Sequence, residues 1–270
     1  MAVDITTIGG IVLGFAALIT GFVMEGGHVA GLLGLSAAII VLGGTIGATV
    51  CSFSMPELRT VPAALKTAVS KKLPDELEMI ELIVQLAERA RREGLLYLEN
   101  QLDQVPHLFL RKGLQLVIDG TEPELVRNIM ETEIYSVQER HQTSISIFEA
   151  AGGYAPTMGI IGTVMGLVHV LSSLTEPERL GPSIALAFIA TLYGVATANL
   201  LWLPIATKLK NLSKKEIRLM ELMLEGILSL QAGNNPILIR ERLTAFLKPR
   251  RRTGREAESE AEESYEKAAS

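Results

Sequence analysis

The chain has 270 residues, 48% of them hydrophobic, with a formal net charge of −5 and a mean hydropathy of +0.32. The negative balance argues against nucleic acid as a partner. The single cysteine, Cys51, excludes an internal disulfide framework and a thiolate metal cluster. The apolar residues gather in four stretches without Asp, Glu, Lys or Arg, at about 5–24, 29–53, 150–174 and 182–207. Each is near or above the roughly 20 residues a helix needs to cross a bilayer core. The fold class expected is all-α: a polytopic membrane protein with four transmembrane helices and a helical cytoplasmic domain.

The first stretch lacks a basic flank and a small-residue cleavage site followed by soluble sequence, so it reads as a retained span. It pairs with the second through Glu25-Gly26-Gly27-His28. Basic residues set the orientation. Residues 54–148 hold 11 Lys and Arg and residues 207–270 hold 13, while the 175–181 loop holds only Arg179. Both termini and the 54–148 segment are therefore expected in the cytoplasm and the two short loops outside.

The 54–148 segment carries helical periodicity. Pro74-Asp75-Glu76 starts a helix with acids in its first turn, and Leu77, Ile80, Ile83, Val84, Ala87 and Ala90 follow at helical spacing up to Gly94. Leu95, Leu96, Leu98 and Leu102 make a short amphipathic piece, and residues 108–118 another, closed by Asp119-Gly120. Thr121-Glu122-Pro123-Glu124 is a start signal with Thr121 as the expected cap. No breaker follows before Ala150, which predicts one long helix entering the membrane as the third span.

The third span sets Pro156, Gly159, Thr163 and Gly166 on one face, and the fourth sets Ala187, Thr191, Gly194 and Ala198. Small faces of this kind let helices approach closely. Two readings stay open at this point: helix packing with Thr hydroxyls bonded to the preceding turn, or a polar rail beside an ion path. Pro156 and Pro204 free backbone carbonyls within spans. No Asp or Glu lies deep in a span, so an ion path would need a carboxylate from another polypeptide. His169, toward the outer end of its span, reads as an interfacial or packing residue ahead of a proton relay. No nucleotide-binding loop, nucleophile elbow or zinc motif occurs, and no enzyme activity or cofactor is expected.

Beyond the fourth span, residues 208–231 are again helical and open on Lys208, Lys210, Lys214 and Lys215, placed to meet anionic headgroups. Asn234-Asn235-Pro236 turns into a short helix. Residues 249–270 switch from basic to acidic and read as a disordered tail. The domain plan is 1–53, spans one and two; 54–148, a cytoplasmic domain; 149–207, spans three and four; 208–248, C-terminal helices; and 249–270, the tail. Arg91, Arg92, Glu93 and Glu99 cluster at the Gly94 break, either a solvated face or a docking surface for a charged partner.

Several stretches, taken in order, resemble the MotA/PomA stator proteins of the bacterial flagellar motor. They are 90–99; Asp119-Gly120; Glu139-Arg140-His141; the run 154–166 (Tyr-Ala-Pro-Thr-Met-Gly-Ile-Ile-Gly-Thr-Val-Met-Gly); Ala190-Thr191-Leu192-Tyr193-Gly194; and Leu203-Pro204-Ile205-Ala206. The resemblance covers about residues 5–247. It implies a pentameric ring in the bacterial inner membrane around a MotB-like dimer that supplies the membrane Asp, and torque on the rotor protein FliG. By position, Arg91 and Glu99, with neighbouring Arg92 and Glu93, match rotor-contact residues. Pro156 and Pro204 match the coupling prolines, and Thr191 the Thr beside the partner's Asp. Thr163 matches a position that is Thr in sodium-driven members, whereas Ala190 stands where PomA has a second Thr. The resemblance implies sodium ahead of proton as coupling ion, bound only transiently. A partner Asp, Thr191, Thr163 and a carbonyl freed near Pro156 would supply oxygen ligands. The alternatives are an ExbB/TolQ-like energiser, whose members have three spans, and a scaffold without ion flux.

Overall fold

A computed structural model describes residues 5–70, 73–172 and 177–247; the 249–270 tail lies outside the described residues. Among them the structure is helical, with no strand. The elements are α1 (Ile5–Met24), α2 (Leu35–Ala38), α3 (Gly44–Ser52), α4 (Met55–Leu58), α5 (Val61–Ser70), α6 (Glu76–Glu93), α7 (Leu108–Ile118), α8 (Pro123–Ser172), α9 (Pro177–Thr197), α10 (Leu203–Gln231) and α11 (Pro236–Thr244). Four helices are long and apolar enough to cross a membrane.

The chain divides into two compact units, 1–72 with 139–213 and 73–138 with 214–270. These cuts differ from the expected 53/54, 148/149 and 207/208. Residues 54–72 join the spans because amphipathic α5 buries Ala64 and Ala68 against Ile145, Phe148, Ile205 and Leu209. The Thr7 hydroxyl of α1 also reaches the Ala68 carbonyl at 3.4 Å.

In the first unit, α1 buries no residue; Ile5 is 82% and Leu13 71% exposed. Apolar exposure on this scale marks a surface made for lipid or for another chain. The second span departs from the uninterrupted helix expected. Val29–Leu32 is a 3-10 turn, Leu33 and Gly34 are extended, and the helix then runs α2, a π-helical turn at Ile39–Gly43, and α3. At Gly34 the fourth span comes close: a Cβ there would stand 2.8 Å from Leu186 Cδ1. The third span is the unbroken 50-residue α8, as expected. It begins at Pro123, so the residue preceding the helix is Glu122 and not Thr121, whose carbonyl instead accepts from Gln231 Nε2 at 2.6 Å. The fourth span runs α9, a π-helical turn at Ala198–Trp202, and α10.

The second unit is a soluble-type core. Ile80, Ile83 and Ala87 of α6, Leu110 and Leu114 of α7, Met130 of α8, Met223 and Ile227 of α10, and Leu243 of α11 are buried together, at the i, i+3, i+4 spacing of inward helix faces. Gly113 and Gly226 bring helices close: a Cβ on Gly113 would meet Ile227 Cδ1 at 2.3 Å. The Asp75 carboxylate caps α6 by accepting from the Leu77 amide at 2.9 Å. Gly94, at φ +89°, ends it.

Candidate functional site

The small faces of α8 and α9 meet each other. A Cβ on Gly159 would stand 2.9 Å from the Ala190 carbonyl oxygen and 3.3 Å from Gly194 Cα, and one on Gly194 would stand 2.5 Å from the Ala155 carbonyl oxygen. Backbones can touch only because both residues are glycine. About one and two turns farther along α8, Gly162 faces Ala190 and Gly166 faces Ala187.

This close crossing brings Thr163 and Thr191 together, so that their hydroxyls hydrogen-bond. Thr163 Oγ1 also lies 2.9 Å from the Ala187 carbonyl oxygen on α9 and 3.1 Å from that of Gly159 in its own helix. Both side chains are half-buried. A hydroxyl has one proton and two acceptor lone pairs, so two hydroxyls beside two carbonyls form an oxygen-rich spot with little competing donor capacity. Among the described residues no group of three or more His, Cys, Asp or Glu gathers in one place. The oxygens here are therefore hydroxyl and carbonyl. Pro156 removes the N–H that would serve the Gly152 carbonyl. That carbonyl is about 16 Å along the helix axis from Thr163 at 1.5 Å per residue; the interhelical carbonyl at the hydroxyl pair is that of Ala187.

Pro204 follows the π-helical turn and lines a cleft of about 330 Å³ with Thr7, Gly10, Ile11, Asn199 and Lys208. His169 is exposed and lines a separate cleft of about 400 Å³ with Ser36 and Ser183. Sequence reasoning missed both π-helical turns. It also gave Tyr193 no role: its hydroxyl donates to the Leu32 carbonyl at 2.6 Å and accepts from the Gly34 amide at 3.1 Å. The break at Leu33–Gly34 would otherwise strand these groups within the span. In the sequence only the glycines of this apolar run, Gly31 and Gly34, pointed that way.

In the second unit, Arg91, Arg92 and Glu93 end α6, and Glu99 follows in the 3-10 helix Leu95–Gln104. All four are exposed. The segment is pinned from beneath by Leu98, 1% exposed, and across the Gly94 turn by Arg89, which donates to Gln101 at 3.0 Å. Leu96 is 72% exposed and sits amid these charges.

Two family models match the chain: a motility protein A N-terminal model over residues 8–94 and the MotA/TolQ/ExbB proton channel family over residues 101–222. Motility protein A of Bacillus subtilis is 41% identical over 90% of this chain and 91% of its own length. Chemotaxis protein PomA of Vibrio alginolyticus is 34% identical over 90% and 95%. The flagellar MotAB stator complex of Bacillus subtilis contains a chain that superposes with a TM-score of 0.88 at 39% identity, over 93% of this chain and 99% of that one. The C. jejuni MotAB structure gives 0.87 at 28% identity, over 91% and 96%. The chain belongs to the motility protein A family.

Proposed function

We propose that this chain is a stator subunit of a flagellar motor. Five copies surround a MotB-like dimer in the bacterial inner membrane, with both termini in the cytoplasm. Ion flow between the ring and the dimer is converted into torque on FliG. The observation that carries the reading is the Thr163–Thr191 hydroxyl pair at the glycine crossing of α8 and α9, in spans without Asp or Glu. Such a site stabilises a passing cation but cannot hold it unaided, and it fits a partner that brings the carboxylate.

Sodium is the favoured coupling ion. It needs several oxygen ligands in place of water, whereas a proton needs only the carboxylate and a water chain. Thr163, Thr191 and the Ala187 carbonyl supply such oxygens. Pro156 and Pro204 act as hinges that pass the movement to the rotor-facing residues Arg91, Arg92, Glu93 and Glu99. The match to the motility protein A N-terminal model over 8–94 favours the motor over an ExbB/TolQ-like energiser.

The test is the swimming speed of a stator-null host that expresses the chain with its own MotB-like partner, with sodium varied at fixed pH and osmolarity. A steep sodium dependence is expected. Swimming indifferent to sodium but abolished by a protonophore would replace sodium with the proton. No rescue under either ion, with the protein present in the membrane, would sink the motor reading.

A further inference from the structure

We propose that Trp202 is the switch residue of the coupling hinge: in a second state of the spans its indole N–H donates to the backbone carbonyl of Gly152. In the present state that donor is idle. Trp202 Nε1 is buried and meets no acceptor among the described residues, and the ring packs against the cluster of Ala64, Ile145, Phe148 and Ile205. The matching acceptor lies on the neighbouring span. Pro156 has no N–H to give the Gly152 carbonyl, and Gly152 is itself buried. A Cβ on Gly152 would stand 2.5 Å from Leu203 Cδ2 and 3.5 Å from Trp202 Cβ. The third and fourth spans therefore touch here because residue 152 has no side chain.

A buried polar group without a partner raises the free energy of the state that holds it. A state that joins this donor to this acceptor relieves both at once. It is favoured by the new bond and opposed by the packing it disturbs, which is the balance a two-state element needs. The means of movement is built in. Trp202 is the last residue of the π-helical turn Ala198–Trp202, which carries one residue more than an α-helical turn. Passing that extra residue along the span turns the side chains it crosses by about 100°, one residue's step in an α-helix. Such a step re-aims the indole without unwinding the span. Pro204 stands two residues beyond Trp202, and Pro156 four residues beyond Gly152, so the bond closes where each span has already lost a backbone hydrogen bond to proline. The inference rests on the reading of Pro156 and Pro204 as hinges of an ion-driven subunit, and it names the contact that links them.

Trp202 is the sole tryptophan of the chain, so ultraviolet resonance Raman spectroscopy reads its N–H hydrogen bonding directly in the intact complex. The experiment compares two complexes in lipid nanodiscs, both with a MotB-like partner free of tryptophan. In one the partner keeps its membrane Asp; in the other Asn replaces it and mimics a carboxylate neutralised by either ion. The indole band should move between its unbonded and bonded positions from one complex to the other. Pro156→Ala supplies the N–H that serves Gly152, so the bonded band should be lost in both. Trp202→Phe keeps a ring in the cluster and removes the donor; it should assemble at wild-type levels and swim more slowly. An identical band in the two complexes overturns the proposal, as does a bonded band that survives Pro156→Ala or normal swimming of Trp202→Phe. A wild-type chain that drives swimming with an invariant band defeats this inference alone; a band that switches in a chain that never rescues swimming defeats the motor reading alone.

Discussion

The Thr163 hydroxyl has one proton and three oxygens within reach, those of Gly159, Ala187 and Thr191. Removing the Thr191 hydroxyl leaves Thr163 both carbonyls as acceptors, so packing survives while the proposed ion path loses an oxygen. Thr191→Val, which keeps the side-chain volume, should cost only about 0.5–1.5 kcal/mol of stability. It should abolish or strongly slow ion-driven swimming at unchanged membrane levels. Normal swimming would confine the pair to packing. Another residue-scale effect lies outside the spans, at Glu57. Hydrogen bonds from the Ser54 hydroxyl and the Ser54 amide, each 2.6 Å, hold its carboxyl below the ordinary glutamate value. A carboxylate with a lowered folded pKa adds stability that is full above the unfolded value and fades as pH falls through the folded one. Protection of the Leu58 amide, bonded to the Ser54 carbonyl at 3.0 Å, should therefore decline below about pH 4. In Glu57→Gln that decline should vanish, and persistence of it would assign the pH dependence to another group.

At the scale of the element, the α8–α9 crossing depends on two missing methyls. Alanine at Gly194 would drive its Cβ against the Ala155 backbone carbonyl, 2.5 Å away in the present geometry. A backbone atom cannot swing aside as a side chain can, so the helices must separate. Gly194→Ala should cost about 1–3 kcal/mol, the usual cost of overpacking, and pull the Thr163 and Thr191 hydroxyls apart. Thermal unfolding in detergent measures the first effect, and the swimming assay the second. Gly153, where a Cβ meets nothing within 4 Å, is the control, and its Ala variant should behave as wild type. This crossing was legible in the sequence because small residues at spacings of three and four must share a helix face. The π-helical turns were not. One extra residue per turn leaves no compositional mark in an apolar run, and Ala198–Trp202 betrays itself only through Pro204 just beyond. Nor was the Tyr193 latch legible, because its partners are backbone groups some 160 positions away. The small faces showed that Thr163 and Thr191 were eligible to meet; only the fold shows that they do.

Across the whole molecule, span count and the long third helix followed from charge-free length and the absence of breakers, whereas the unit boundaries did not. Residues 54–72 carry helical signals like those farther along, and only burial on Ile145 and Phe148 assigns them to the spans. The proposed rotor face lies in the second unit, and its charges stand on a rigid mount: Leu98 is buried, Arg89 bonds Gln101, and Gly94 turns the chain at a positive φ. Exposed charges add little to stability, so charge reversal here should leave the fold intact and act only on a partner. Arg91→Glu should reduce swimming with no change in the unfolding temperature, and an opposite charge reversal on FliG should restore part of the speed. Gly94→Ala separates mount from charge. It keeps every charged group but strains a conformation that only glycine adopts readily, at about 1–3 kcal/mol, so no FliG charge change should rescue it. If both variants fail equally and neither responds to any reversal on FliG, the charges are not what the rotor reads. Exposed Leu96 would then be the contact to test.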